Sequence, residues 1–105
     1  MNLHHLHLAG FFDAVGHIDV EQERGHLPLL KLRVTHQNEE ALRGFYLWFG
    51  GSFNKLVFRP TRFQWTIEGP TAVEALEQMA PDLTGRLRDE AEHALSVMHL
   101  RGSLL

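Results

Sequence analysis

Apolar residues recur along this chain with two different periods, and the switches between them predict the order of its secondary-structure elements. Spacing of about 3.6 residues is typical of a helix with one buried face, whereas strict alternation is typical of a half-buried strand. The pattern predicts helix, two strands, helix, two strands, helix, helix. In that order, the predicted segments are residues 3–14, 17–23, 30–35, 39–49, 52–58, 62–67, 70–80 and 83–98.

Residues that favour helix ends separate these segments. Asn38 suits the N-cap of the second helix, and Pro70 suits the first position of the third. Pro81 ends that third helix, and Asp82 is predicted to cap the last one. The fold class that follows is α+β, with a four-stranded antiparallel sheet that is covered by helices on one face and open on the other.

The composition favours one soluble domain. The chain has 105 residues, 44% of them apolar and none of them cysteine, so we expect a single domain over residues 1–105 without disulfides. The sequence shows no secretory signal and no run of about 20 apolar residues, which favours a cytoplasmic protein without a membrane partner. The net charge of −3 is less basic than that of most nucleic-acid-binding domains. No feature indicates a small-molecule substrate.

Residues 8–16 read LAGFFDAVG, and this nonapeptide resembles the motif helix of the LAGLIDADG homing endonuclease family. Four later segments resemble family landmarks in the same order: the end of the second strand, the entry to the third, the fourth strand with its following helix, and a Pro-x-Leu segment with trailing basic residues. These segments are residues 32–36, 49–52, 63–76 and 81–88. The resemblance implies the family's αββαββαα fold, with a saddle-shaped sheet backed by helices.

The resemblance also implies a homodimer, because family members with one motif copy act in pairs through their motif helices. Gly10 and Ala14 lie four residues apart on one helical face, and their small side chains would let two helix axes approach closely. Together with Leu6 and His7 they form the predicted dimer interface. The alternative is that the two small residues fit the core of their own chain. In either case, we expect the apolar helix as a whole to belong to the core.

The family holds catalytic Mg²⁺ with the second acidic residue of the motif, and this chain has Val15 at that position. Mg²⁺ prefers carboxylate and water oxygens, and an isopropyl group offers none. We therefore expect the standard metal site to be lost. Asp13 and Asp19 are the candidate substitutes, although the resemblance gives Asp13 the role of steadying the motif helix. His17 is a poorer candidate, because imidazole suits transition metals better than Mg²⁺.

Two further positions match family residues near the scissile phosphate. His36 corresponds to a polar residue that orients water, and Arg86 corresponds to a basic residue near the phosphate. Each also has a simpler interpretation, His36 as a strand-end residue that caps a turn and Arg86 as a solvated helix charge. Mg²⁺ is expected as a cofactor only if the protein is catalytic.

If the open face binds duplex DNA, the outward side chains of its strands make the contacts, since Arg, Asn and Gln suit base edges in the major groove. The predicted DNA-binding residues are Lys31, Arg33, Ser52, Asn54, Arg62, Gln64 and Thr66. The first strand is instead acidic, and Asp19 is expected to pair with Arg33 on the neighbouring strand. Glu21 is expected to pair with Lys31. Such pairs would occupy cations that DNA needs.

Three functions fit these observations. The first is a homing-endonuclease relative that binds duplex DNA as a homodimer, with cleavage weak or lost. The second is an active Mg²⁺-dependent site-specific endonuclease that uses a displaced carboxylate. The third is a domesticated, non-catalytic module that binds protein or RNA, for which the acidic first strand is the motive.

Overall fold

The computed structural model describes residues 3–22, 25–57 and 59–103, and within them the side chains of residues 7–100. The elements follow the predicted order. The helices are α1 (Leu3–Val15), α2 (Glu39–Phe49), α3 (Pro70–Met79) and α4 (Gly85–Ser103), with a 3-10 turn at Ala80–Asp82. The strands are β1 (Gly16–Glu21), β2 (Leu29–His36), β3 (Ser52–Leu56) and β4 (Arg62–Glu68). In these ranges, no helix has the length and apolar character needed to cross a bilayer.

The strands form one antiparallel sheet in the order β1-β2-β4-β3, so that β2 and β4 lie at its centre. Alternation places every second residue of these two strands on the helix-covered face. The buried members of that set are Leu30, Leu32, Val34, Trp65 and Ile67. This arrangement confirms the α+β fold class. The third strand is shorter than predicted, because β3 ends at Leu56, while Phe58 lies outside the described residues.

The core between sheet and helices is centred on aromatic rings. The rings of Phe45 in α2 and Trp65 in β4 stack with their centroids 4.8 Å apart, and both side chains are fully buried. The Trp65 Nε1–H donates a hydrogen bond of 2.7 Å to the carbonyl oxygen of Gly50, which satisfies the only polar group of the buried indole. This bond also fixes the turn between α2 and β3, and so positions the edge of the sheet.

The motif helix α1 has two different faces, and this corrects the expectation that the helix as a whole belongs to the core. Leu8, Ala9 and Phe12 are buried in the core. Gly10 and Ala14 lie on the opposite side and are exposed, and a Cβ atom at Gly10 would meet no described atom of another element within 4 Å. Because α1 is apolar on both sides, its exposed side is surface that this chain alone does not cover.

Helix starts were predicted with mixed success. Asn38 caps α2 as predicted, since its Oδ1 accepts the Ala41 N–H at 3.1 Å. The prediction that Asp82 caps the last helix is wrong. Leu83 is extended, with φ −84° and ψ 154°, and it separates the 3-10 turn from α4. Thr84 occupies the capping position instead, and its carbonyl oxygen accepts the Arg88 N–H at 3.2 Å.

Candidate nucleic-acid interface

The open face of the sheet presents polar side chains in rows that run across the strands. The register places residues from up to four strands side by side. The rows, read from β1 towards β3, are His17, Arg33, Thr66 and Ser52; Asp19, Lys31 and Glu68; and Thr35, Gln64 and Asn54. Arg62 lies opposite Leu56 beyond the third row. All seven predicted DNA-contact positions therefore share this face.

One part of the open face is dominated by carboxylates, and we call it the acidic corner: Asp19, Glu21 and Glu68 around Lys31. The Lys31 Nζ lies 3.9 Å from Glu21 Oε1 and 3.8 Å from Glu68 Oε2. The predicted pairing of Glu21 with Lys31 is thereby confirmed. Because two carboxylates neutralise this ammonium group, Lys31 offers little net positive charge to a phosphate.

The other part of the open face has free cations and amides. The predicted pairing of Arg33 with Asp19 is wrong, because the register places Arg33 opposite His17 and Asp19 opposite Lys31. Arg33 is exposed and makes no ion pair with any described residue. Gln64 Nε2 donates to Thr35 Oγ1 at 3.3 Å, which links β4 to β2 on this face. Guanidinium and amide groups of this kind suit base edges and phosphates.

The junction between α1 and β1 is where the motif would hold a metal ion. Val15 is the last residue of α1, half-buried and packed against the core. Gly16 follows at once as the first residue of β1, and a side chain there would overlap the buried Phe12 ring. Helix and strand therefore join without a loop, and the residue at position 15 is held at that junction.

Asp13 is engaged in structural bonds close to this junction. Its Oδ1 accepts the Thr84 N–H at 2.8 Å, and its Oδ2 accepts the Thr84 hydroxyl at 2.6 Å. These hydrogen bonds, chiefly the one from the hydroxyl, lower the pKa of Asp13 below its ordinary value. The sequence showed the carboxylate but not its partner, because Thr84 is 71 positions away along the chain.

The two residues matched to the phosphate region lie in different settings. His36 packs edge-on against Phe11 of α1, with ring centroids 5.0 Å apart, and its Nδ1 accepts the Asn38 N–H at 3.0 Å. Arg86 lies in the first turn of α4, where its side chain is 87% exposed and its Nε is 3.7 Å from Glu90 Oε1. The catalytic roles of His36 and Arg86 stay predictions.

The described members of the predicted dimer interface form one exposed strip along α1. His7, Gly10 and Ala14 are exposed and follow one another at helical spacing. The side chain of Leu6 lies outside the described residues. The structure thus excludes the alternative that Gly10 and Ala14 fit the core of their own chain.

Beside this strip runs a groove of about 570 Å³ between α1 and α2, which the sequence analysis missed. His7 and Leu8 line its α1 side, and Arg43, Leu47 and Trp48 line its α2 side. The available signal was Leu47, an apolar residue on the side of α2 away from its core residues.

The donor set at the α1–β1 junction does not fit a Mg²⁺ ion. Val15 offers no oxygen, and the Asp13 carboxylate is directed at Thr84, with a hydrogen bond to each of its oxygens. Among the described residues, no three His, Cys, Asp or Glu side chains are arranged to hold a metal ion.

Comparison with known proteins supports the fold. No protein-family model and no curated protein matches the chain. A crystal structure of the homing endonuclease I-CvuI, in complex with its target in the presence of calcium, matches with a TM-score of 0.73 and 22% identity, over 97% of this chain and 69% of that one. A second structure, of I-CvuI with the I-CreI target and magnesium and with the DNA not cleaved, matches with a TM-score of 0.68 and 21% identity, over 92% and 66%. The chain thus has the fold of LAGLIDADG homing endonuclease structures.

Proposed function

We propose that this protein binds duplex DNA as a homodimer through the open face of its sheet, with cleavage weak or lost. Two sheets related by a two-fold axis would form a symmetric saddle. Arg33 and Arg62 would contact phosphates or guanines, and Asn54 and Gln64 suit adenine edges. Support comes from the shared face of these side chains and from the fold, which is that of I-CvuI in complex with its target.

The observation that carries the loss of cleavage is Val15 at the exit of α1. A dimer joined along the α1 strips would bring the two helix ends together, so each subunit would place an isopropyl group where a carboxylate is needed. Asp13 does not replace it, because its carboxylate is held towards Thr84 of α4 and lies about 200° around the helix from position 15. Asp19 is exposed, but it lies in the acidic corner, on the strand that follows α1 and opposite Lys31, and not at the end of the helix.

The acidic corner favours a second candidate, a non-catalytic module that binds a protein partner rather than a nucleic acid. Three carboxylates face solvent beside one lysine, and carboxylates repel phosphates. We rank this function second, because the same face also presents two arginines that no described carboxylate neutralises.

Restoring the carboxylate tests the proposal. The wild type, Val15→Asp and the uncharged control Val15→Asn would each be incubated with a randomised duplex library and Mg²⁺ or Mn²⁺, with bound fractions recovered and new DNA ends sequenced. We expect all three to retain duplexes at low salt, and only Val15→Asp to give metal-dependent nicks.

Each other outcome overturns a stated part. Double-strand breaks from the wild type would refute the loss of cleavage and favour a displaced carboxylate. No retention of duplex DNA at low salt would refute the DNA-binding function. If Val15→Asp binds DNA but stays inert, Val15 is not the sole defect of the site.

A further inference from the structure

Two apolar side chains interrupt the polar rows that the described strands present on the open face, and they lie at opposite corners of the sheet. They are Leu29, at the start of β2, and Leu56, at the end of β3. The register pairs Leu29 with Glu21 and Leu56 with Arg62. Both leucines are half-buried, but neither is among the described apolar residues that pack, partly buried, against the core. Their apolar surface therefore faces the side on which a ligand of the sheet would lie.

The two leucines have opposite electrostatic surroundings. Leu29 lies beside the acidic corner, where the Glu21 carboxylate repels the phosphates of a DNA backbone. Leu56 lies opposite Arg62, which is exposed and makes no ion pair with any described residue. Of the two, only Leu56 therefore combines apolar surface with a neighbouring cation that can contact DNA.

Leu56 and Arg62 match chemical groups that neighbouring base pairs present in the major groove. Arginine donates two hydrogen bonds to O6 and N7 of guanine, and an apolar side chain contacts the 5-methyl group of thymine. Side chains directly opposite each other on antiparallel strands have Cβ atoms about 5 Å apart, and adjacent base pairs are stacked about 3.4 Å apart. The long arginine side chain can accommodate this difference, so the pair suits two consecutive bases.

We propose that Leu56 and Arg62 form a subsite for a 5-methylpyrimidine next to a guanine, in which Leu56 contacts the methyl group and Arg62 contacts the guanine. The proposal rests on the DNA binding of the proposed function and adds a dependence on one methyl group per subunit. Thymine supplies this group in ordinary DNA, and 5-methylcytosine carries it at the same position of the ring. Uracil and cytosine lack it and leave the leucine side chain in contact with water.

Three randomised duplex libraries of equal length test the proposal. One contains the four ordinary bases, the second has uracil in place of thymine, and the third has 5-methylcytosine in place of cytosine. Each would be incubated with the wild type at low salt without a divalent metal, and the retained duplexes would be sequenced. We expect the ordinary library to be enriched in thymine beside guanine. Resynthesis of the most enriched duplex with uracil at that thymine should lower the affinity about fourfold per subunit, because one methyl group is lost from the contact.

Two variants that truncate a leucine to the same extent separate this subsite from other contacts. Leu56→Ala should retain duplex DNA and the preference for guanine, but should bind the thymine and uracil duplexes equally. Leu29→Ala is the matched control on the same face, and it should keep the fourfold difference between the two duplexes.

The possible results separate the subsite from DNA binding itself. Equal affinity of the wild type for the thymine and uracil duplexes, or a difference that persists in Leu56→Ala, would overturn the subsite and leave DNA binding standing. Failure to retain any library would overturn the proposed function instead. In the third library, we expect 5-methylcytosine to be enriched beside guanine, because it carries the same methyl group. Enrichment of thymine alone would overturn the assignment to 5-methylpyrimidines in general and restrict the subsite to thymine.

Discussion

At the scale of single residues, Asp13 and Val15 lie two positions apart at the end of α1 and make different contacts. Asp13 joins the end of α1 to the start of α4 through Thr84, so its carboxylate has a structural role in this fold. Val15, two residues later, packs its side chain against the core. In a single subunit, the carboxylate at this end of α1 is thus bonded to Thr84, and the side chain two positions later is apolar.

The Asp13 contact predicts a stability that depends on pH. Its pKa lies below the ordinary value of 3.8 in the folded chain, so the unfolded chain binds the proton more readily. The stabilisation is therefore complete above the unfolded pKa and is lost as the pH falls through the lower folded pKa. Asp13→Asn should cost about 1 kcal/mol at pH 7 and progressively less below pH 4, as measured by urea unfolding at each pH.

Asp19→Asn is the matched control, because Asp19 is exposed and accepts no hydrogen bond from any described residue. It should change stability by no more than about 0.5 kcal/mol at either pH. Equal losses for the two variants at pH 7 would mean that Thr84 does not anchor α1 through Asp13.

At the scale of elements, the order of helices and strands could be predicted because each has a clear period. Alternation in β2 and β4 also predicted which side chains share the open face. The orientation of α1 could not be predicted in the same way, because residues on both of its sides are apolar or small and the pattern does not say which side faces inward. Likewise, the partner of Arg33 depends on the β1–β2 register. A shift of β1 by two residues would place Asp19 instead of His17 opposite Arg33.

The two faces of α1 predict opposite effects of one substitution at Gly10. Gly10→Leu should stabilise the isolated subunit by about 0.5 kcal/mol, because leucine favours a helix more than glycine does and the site is open. The same side chain would hold two α1 helices apart and so weaken the dimer. We expect a wild-type melting temperature that rises with protein concentration, and a variant whose melting temperature does not.

Ser96→Leu on α4 provides a control, since it adds leucine at another exposed helical position. It should leave the concentration dependence as in the wild type. A Gly10→Leu chain that dimerises as well as the wild type would exclude the α1 strip from the interface.

At the scale of the whole molecule, the net charge of −3 conceals an uneven distribution over the open face. The acidic corner neutralises Lys31, whereas Arg33 and Arg62 keep their charge available to a ligand. Composition alone argued against DNA binding, and only the cross-strand register separates the two parts of the face. The sequence predicted which residues share the open face but not which of them are neighbours. The neighbours depend on the register, which the turn lengths fix, and the acidic corner combines residues from three strands.

This charge distribution predicts that removing negative charges from the acidic corner strengthens DNA binding more than removing the same number from the helices. In the double variant Glu21→Gln and Glu68→Gln, Lys31 is freed to contact a phosphate. The slope of log affinity against log salt concentration should then steepen by about one, since each neutralised phosphate releases close to one counterion. Affinity for duplex DNA at low salt should rise about tenfold, measured by fluorescence anisotropy across a salt series.

Glu39→Gln with Glu92→Gln makes the same change in net charge on the helices, where the two carboxylates pair with Arg43 and Arg88. If binding follows contact rather than total charge, this control pair should leave the salt slope unchanged. Adding Lys31→Ala to the open-face double variant should return the slope to the wild-type value. Equal gains in affinity from both double variants would show that the acidic corner, and the part of the sheet that includes β1, lie away from the DNA.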